Sequence, residues 1–238
     1  RFPDGAENIA SFPQTASPGA PNYLLLTNLV INEALTHTDP PLEDAVEIFN
    51  TGASQVNLGD WFLSNNGEEL RKYRVPANTV IPAGGFAVFY EYQFNSNGSP
   101  AVLAPFTLNS AHGDEIHLAQ TDGAGQLTGY RARAKFGAAP NGVSFGRFLT
   151  SVGEEFVPMS GRSFGEDDPP NVATFRLGPG ATNPYPLVGP VVFSEIQFRP
   201  TNSYLGDTHA GVFLELLNLN SNAVALFDPA ALTNTWRI

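Results

Sequence analysis

The chain has no cysteine, a single methionine and only two lysines among its 238 residues. The absence of cysteine excludes disulfide bridges, thiolate metal ligands and cysteine nucleophiles. No apolar run approaches the length that a membrane-spanning helix needs, so we expect no membrane insertion. Basic residues number 12 against 23 acidic ones, and the formal charge of −11 repels nucleic acid at long range. Nucleic acid is therefore not an expected partner of the chain.

Glycine and proline are abundant instead, with 23 and 20 residues that fall between short apolar runs. This punctuation is typical of an all-β protein, and no window shows sustained helical periodicity. Many short strands with regular turns predict a sandwich or a barrel. A long loop is predicted over residues 150–171. The predicted strands are 28–35, 45–50, 60–64, 70–75, 85–92, 115–119, 126–135, 143–149 and 172–177.

The order of motifs in residues 29–63 returns in residues 191–238, where VFSEI corresponds to VINEA and LELLNLN to VEIFNTG. A second match joins PGAPN at residues 18–22 to PGATN at residues 179–183. Repeats that lie this far apart indicate whole domains in tandem and not a solenoid of short units.

The repeat predicts three parts of a tandem array. Residues 1–24 are interpreted as the C-terminal end of a preceding module plus a linker. Residues 25–186 form one complete module, and residues 187–238 form the N-terminal half of a further module. Other modules of the same protein, or neighbouring copies of it, are the expected partners.

A further set of motifs follows a fixed order over about residues 28–148: VINEA, DAVEIFNTG, VNLGDWFLSN, YRVPANTVIPAGGFAVFY, FTLNSAHGDEIHLAQTDGAGQLTGYRA and GVSFGR. This order resembles the bacterial lamin tail domain family. It implies an immunoglobulin-like β-sandwich, here one complete module flanked by parts of neighbouring repeats. It also implies an extracellular accessory module of a large secreted or cell-surface protein. The family offers no established catalytic residues to carry over.

Each copy carries two glutamates on neighbouring predicted strands. Strand alternation places Glu33 on one face with Leu29, Ile31 and Leu35. A carboxylate on an apolar face needs a partner, because an isolated buried charge is very costly. The pair therefore has a structural role, or binds a cation, or works as an acid and a base as in glycoside hydrolysis. The paired carboxylates are Glu33, Glu47, Glu195 and Glu215.

A basic strip is predicted on residues 126–135, where Arg131, Arg133 and Lys135 share one face of a strand at period two. Such a strip holds an anionic ligand, for example a sulfated surface glycan or a phosphate. The alternative is the solvent face of a strand that charge protects from edge pairing.

Other motifs are weaker. Two G-x-S-x-G sequences surround Ser144 and Ser163, but neither precedes the helix that a nucleophile elbow requires. The four histidines lack the spacing of a zinc site. Acidic and asparagine-rich turns leave a structural Ca²⁺ ion open, although no EF-hand loop is present. No other cofactor is expected.

The sequence thus predicts a non-catalytic structural or adhesive module of a large secreted or cell-surface bacterial protein, which acts in spacing, assembly or protein contact. The alternative is a glycan- or nucleic-acid-binding accessory module of a secreted hydrolase or nuclease. A hydrolase would require an accessible pocket that holds Glu33 with Glu47, or Ser144 near a base.

Overall fold

A computed structural model describes residues 2, 7, 9–19, 21–198, 212–228 and 230–235. The chain divides into two compact units, Arg1–Pro186 (unit 1) and Leu187–Ile238 (unit 2). Strands account for 37% of the described residues and helices for 4%. Neither helix in the described residues is long and apolar enough to cross a membrane.

Unit 1 contains two five-stranded sheets. The strands are β1 Leu24–Leu25, β2 Leu29–Leu35, β3 Ala45–Asn50, β4 Val56–Asn57, β5 Phe62–Ser64, β6 Tyr73–Arg74, β7 Val80–Ile81, β8 Phe86–Tyr90, β9 Asp114–Thr121, β10 Leu127–Phe136, β11 Ser144–Thr150 and β12 Gly153–Pro158. The first sheet has the order β1-β10-β9-β5-β6 and the second the order β12-β11-β2-β3-β8. Two short helices, α1 (Glu91–Phe94) and α2 (Val172–Phe175), lie outside the sheets.

The main core lies between the two sheets. Leu29 and Ile48 of the second sheet belong to the same buried cluster as Leu63 and Leu118 of the first. Burial of side chains of this size stabilises the fold by about 1.5–3 kcal/mol each. Two packed sheets around one apolar core make unit 1 a β-sandwich, which confirms the predicted fold class.

A bulge in β2 decides which residues face this core. The pairing of β2 with β3 joins Ile31 to Ile48 and then Glu33 to Glu47, with an irregularity between Ile31 and Glu33. A bulge inserts one extra residue, here Asn32, and so shifts the alternation of the strand. The prediction that Glu33 shares a face with Leu29 and Ile31 is therefore wrong.

The outer face of the second sheet is covered by residues 159–183, named here the covering segment. Phe164 and Phe175 of this segment are fully buried with Leu35, Ala45 and Tyr90 in a second apolar cluster. β2 and β3 of this sheet are therefore buried on both faces.

Two predictions about this region are wrong. Residues 172–177 do not form a strand, because Asn171 caps α2 by accepting a hydrogen bond from the backbone of Thr174 at 3.0 Å. The predicted loop over residues 150–171 contains β12, which pairs with β11 as a hairpin.

Residues 1–24 were predicted as the end of a preceding module plus a linker. The structure includes them in unit 1, where Thr15 and Tyr23 are buried. Thr15 donates a hydrogen bond to the carbonyl of Tyr23, and β1 pairs in parallel with β10. The end of this stretch is thus part of the first sheet of unit 1.

Unit 2 contains two hairpins. In the first, β13 (Val191–Gln197) pairs with β14 (Phe213–Asn218), and in the second, β15 (Phe227–Asp228) pairs with β16 (Ala231–Thr235). The apolar side chains of the first hairpin are largely exposed, among them Phe193 at 51% and Ile196 at 58%.

Candidate functional site

Glu33 and Glu47 lie opposite each other on β2 and β3, and neither side chain has any exposed surface. They point to the outer face of the second sheet, beneath the covering segment. Two carboxylates that meet in a buried position must be neutralised or hydrogen-bonded.

Ser163 of the covering segment bonds to both carboxylates. Its backbone N–H donates to Glu33 Oε2 at 3.0 Å, and its hydroxyl contacts the same oxygen. The hydroxyl also lies 3.3 Å from both carboxylate oxygens of Glu47. A single serine therefore joins the pair to the segment that covers it.

Glu47 has two further donors, one from its own hairpin and one from the end of the covering segment. Asn32, at the bulge, donates to Glu47 Oε1 at 2.5 Å, and the backbone N–H of Ala181 donates to Glu47 Oε2 at 3.2 Å. Asn183 Nδ2 donates to the carbonyl of Asn32 at 2.9 Å, and the Asn32 side chain donates back to Asn183 Oδ1 at 2.6 Å. Asn32, the bulge residue, thus links Glu47 to Asn183 of the covering segment.

Gly180 allows this close approach. Its φ of +84° lies in the left-handed region, and a Cβ there would clash with Glu47 Oε2 and with the Cβ of Phe86. Glycine adopts this conformation at no steric cost and leaves room for the carboxylate.

Burial dominates the electrostatics of the pair. Loss of solvation raises the pKa of Glu33, and it raises the pKa of Glu47 to about 8. The hydrogen bond from Asn32 opposes this shift in Glu47, while the negative charge of Glu33 adds to it. At neutral pH the pair therefore holds a proton, and it acts as a polar contact between sheet and covering segment.

The second predicted pair repeats the geometry in different surroundings. Glu195 lies opposite Glu215, and the irregularity in β13 falls between Phe193 and Glu195. Ser194 occupies the bulge and donates its hydroxyl hydrogen bond to Glu215 Oε1. Both glutamates of this pair are exposed.

The predicted basic strip is not a free cationic surface. Arg131 is only 5% exposed, and its guanidinium lies 3.7 Å from the centre of the Tyr23 ring and donates to the carbonyls of Gly67 and Pro21. Arg133 forms two hydrogen bonds to Glu115, at 2.7 and 3.1 Å. Lys135 is exposed.

Glu115 explains why the strip is neutralised. Burial alone would raise the pKa of this carboxyl, but hydrogen bonds from His117 and Arg133 outweigh that effect and lower the pKa to about 2. Lys135 Nζ lies 3.7 Å from the same carboxylate. The period-two pattern of β10 did not indicate this cross-strand partner, since Glu115 lies on β9.

The remaining motifs show no catalytic arrangement. Ser144 is buried at the start of β11, and Ser163 is followed by the turn that precedes α2 and not by a nucleophile-elbow helix. His209 lies outside the described residues. Among the residues that are described, no group of three or more His, Asp and Glu side chains is placed to hold a metal ion.

The sandwich topology makes unit 1 an immunoglobulin-like β-sandwich. Residues 26–131 match the family model of the lamin tail domain, which supports the resemblance seen in the motifs. This is a non-enzymatic immunoglobulin-like family. No curated protein and no solved structure is significantly similar to the chain.

Proposed function

We propose that the chain is a non-catalytic structural segment of a large secreted or cell-surface bacterial protein. In this proposal it consists of tandem lamin-tail-type modules that space, display or assemble other parts of the protein. Adhesive contact with proteins or surface glycans is the expected outcome of such display.

One observation carries the proposal: the residues best suited to acid–base chemistry are used to hold the fold together. Glu33 and Glu47 are fully buried, and their oxygens accept hydrogen bonds from Asn32, Ser163 and Ala181. Glycoside hydrolysis needs two carboxylates that flank a bound substrate in an open cleft. A closed pair favours a role in module architecture.

A ligand-binding function has weaker support. The anionic-ligand hypothesis needs Arg131, Arg133 and Lys135 exposed on one face, but Arg131 is buried and Arg133 is paired with Glu115. An arginine buried against a tyrosine ring and an arginine paired with a carboxylate are both typical of packing contacts. We therefore do not propose this strip as a glycan or phosphate site.

The proposal is tested by pulling the whole chain between its ends in single-molecule force spectroscopy. A spacer predicts that unit 1 opens in one discrete event. Its 186 residues at about 3.3–3.6 Å each, less the folded end-to-end distance, give a contour-length gain of roughly 600 Å. Ser163→Ala, which removes the hydroxyl between the two carboxylates, should lower the opening force. Ser151→Ala, on the exposed turn between β11 and β12, is the matched control and should not.

Gradual extension of unit 1 without a discrete event would contradict the spacer function. The non-catalytic part has its own test, in which the chain is incubated with polysaccharide and nucleic-acid substrates. Turnover that disappears in Glu47→Gln would overturn it.

A further inference from the structure

One of the two lysines of the chain is largely shielded from solvent. The Lys72 side chain is 13% exposed, against 65% for Lys135. Its Nζ lies 5.8 Å from the centre of the ring of Phe106, a core residue, and its backbone carbonyl accepts a hydrogen bond from Leu103 at 2.7 Å. Both ends of this lysine are therefore held in place.

The amine of Lys72 faces the side-chain amide of Asn65. Lys72 Nζ donates a hydrogen bond to Asn65 Oδ1 at 2.8 Å. The nitrogen of the same amide has other partners: Asn65 Nδ2 donates to the carbonyl of Thr107 at 3.2 Å and to Asp114 Oδ2 at 3.1 Å. These contacts fix the orientation of the amide, because lysine has only donors and a carboxylate has only acceptors.

The arrangement contains the groups that an acyl transfer needs. An amine held against a carbonyl group is a nucleophile in position for attack, and carboxylates within reach carry protons in such reactions. Glu69 Oε2 lies 3.9 Å from Lys72 Nζ, while Asp114 contacts the nitrogen that would leave. Asn65, Lys72 and Asp114 line one open cleft, through which a small leaving group can escape.

We propose that Lys72 and Asn65 form an intramolecular isopeptide bond. Nζ passes one proton through Glu69 to water and attacks Cγ of Asn65 as a neutral amine, so that the Nζ–Cγ bond forms. The next proton that Nζ gives up passes to Asp114, which returns it to Nδ2. The Cγ–Nδ2 bond then breaks and ammonia leaves. One amine and one primary amide become one secondary amide and ammonia, so no oxidant or other reactant is needed.

The bond ties together two strands at the edge of the first sheet. Asn65 directly follows β5, and Lys72 directly precedes β6. These two strands pair through only two residues each, and β6 is the last strand of the sheet. A covalent link beside so short a ladder keeps the edge strand from separating. The inference does not depend on the proposed spacer function, although a linked edge suits a chain under load.

The first test is the intact mass of the whole chain, measured after denaturation. The proposal predicts that the natural chain, once folded, is lighter than its sequence by one molecule of ammonia. In Lys72→Arg the guanidinium keeps the charge and the donors but stays protonated and cannot attack. That variant should therefore have the full mass of its sequence, and so should Asn65→Ala, which lacks the amide.

Asn66→Ala is the matched control. Asn66 is the neighbour of Asn65 and lines the same cleft, and it precedes Gly67. An asparagine before glycine can also lose ammonia, by ring closure onto the backbone nitrogen of the glycine, and this product has the same mass. The proposal predicts that Asn66→Ala keeps the mass deficit. A deficit that disappears in this variant would belong to ring closure at Asn66 and would overturn the proposal.

The second test locates the bond and its proton carrier. Trypsin should fail to cleave after Lys72, and fragmentation of the digest should show a branched peptide in which Lys72 is joined to Asn65. Asp114→Asn should slow bond formation by roughly a hundredfold or more. The linked fraction in freshly prepared chain, followed by mass over time, gives this rate.

A natural chain with the full mass of its sequence would overturn the proposal, as would a deficit that persists in Lys72→Arg. Thermal unfolding of Lys72→Arg should show a folded chain with a lower midpoint than the natural chain, because a cross-link that constrains the unfolded chain is gone. These outcomes are separate from a failure of the proposed function. A chain without the bond that still opens in one discrete event under force keeps the spacer function.

Discussion

The β2–β3 hairpin of unit 1 and the β13–β14 hairpin of unit 2 share their pairing but not their surroundings. Both place two glutamates opposite each other beside a bulge. In unit 1 the pair is fully buried under the covering segment, whereas in unit 2 it is exposed. The comparison teaches that short-range sequence specifies the hairpin, its register and its bulge. Burial, and with it the altered carboxylate chemistry, comes from segments far away in the chain.

The largest expected effect comes from removing the apolar anchor of the cover. Phe164→Ala leaves a cavity beside Phe175 and Tyr90 and should lower the free energy of unfolding of unit 1 by about 3–5 kcal/mol. Phe193→Ala, at a half-exposed site of unit 2, is the control and should change little. Chemical denaturation measures both variants. Equal losses would mean that the cover contributes no more than an exposed side chain.

The next largest effect is the pH dependence that the buried glutamate pair gives to the stability of unit 1. The pKa of Glu47 is raised from 4.5 to about 8 in the folded chain, so its contribution to stability is complete below 4.5 and is lost as pH rises through 8. This corresponds to a loss on the order of 4 kcal/mol between about pH 5 and pH 8.

Glu47→Gln removes that titration, so unit 1 should lose less stability over this interval and exceed the natural chain at alkaline pH. Denaturation curves at a series of pH values give the comparison. Glu215→Gln, at an exposed position of unit 2, is the control and should leave the stability of unit 1 unchanged. If Glu47→Gln kept the full slope, Glu47 would not be its source.

A smaller effect is expected at the two left-handed glycines of the PGA-x-N sequences. Alanine costs about 1–2 kcal/mol at either position because of its positive φ. At Gly180 it also clashes with Glu47, which should add about 1–3 kcal/mol. Thermal unfolding of Gly180→Ala and Gly19→Ala separates the cost of the positive φ from the cost of the clash. Equal destabilisation would show that Gly180 does not approach the Glu47 carboxylate closely.

The smallest effect concerns the loop that both hairpins share. Asn218→Ala removes the hydrogen bonds of this side chain to Asn222 and Asn220, and should destabilise the β13–β14 hairpin by about 0.5–1 kcal/mol. Faster amide exchange at Asn220 is the readout. Asn50→Ala should cost more, because Asn50 is buried and also bonds to the carbonyls of Ile81 and Pro82. An unchanged rate at Asn220 would indicate that the loop forms without its asparagine.

The sequence was informative where structure is local. Strand alternation and turn residues predicted most of the sandwich strands, and the repeat predicted that Glu33 and Glu47 belong together. The bulge at Asn32 was not predicted, because asparagine in a strand carries no fixed signal for an inserted residue. That one residue moved Glu33 from the face of Leu29 to the opposite face.

Long-range contacts explain the remaining errors. Val172–Phe175 has an apolar, β-branched start that favours a strand, yet the cap at Asn171 and the burial of Phe175 against Tyr90 select a helical turn. In the same way, period-two spacing predicted that Arg131, Arg133 and Lys135 share a face but not that Tyr23 and Glu115 would lie beside them. The residue pattern of one strand does not show which side chains from elsewhere in the chain will lie beside it.

Amide hydrogen exchange along the whole chain in dilute solution tests the central claim most directly. The account predicts that the amides of β2 and β3 exchange only through global unfolding of unit 1, and that those of β13 and β14 exchange faster by several orders of magnitude. Equal protection of the two hairpins would contradict the claim that the same local structure is closed in unit 1 and open in unit 2.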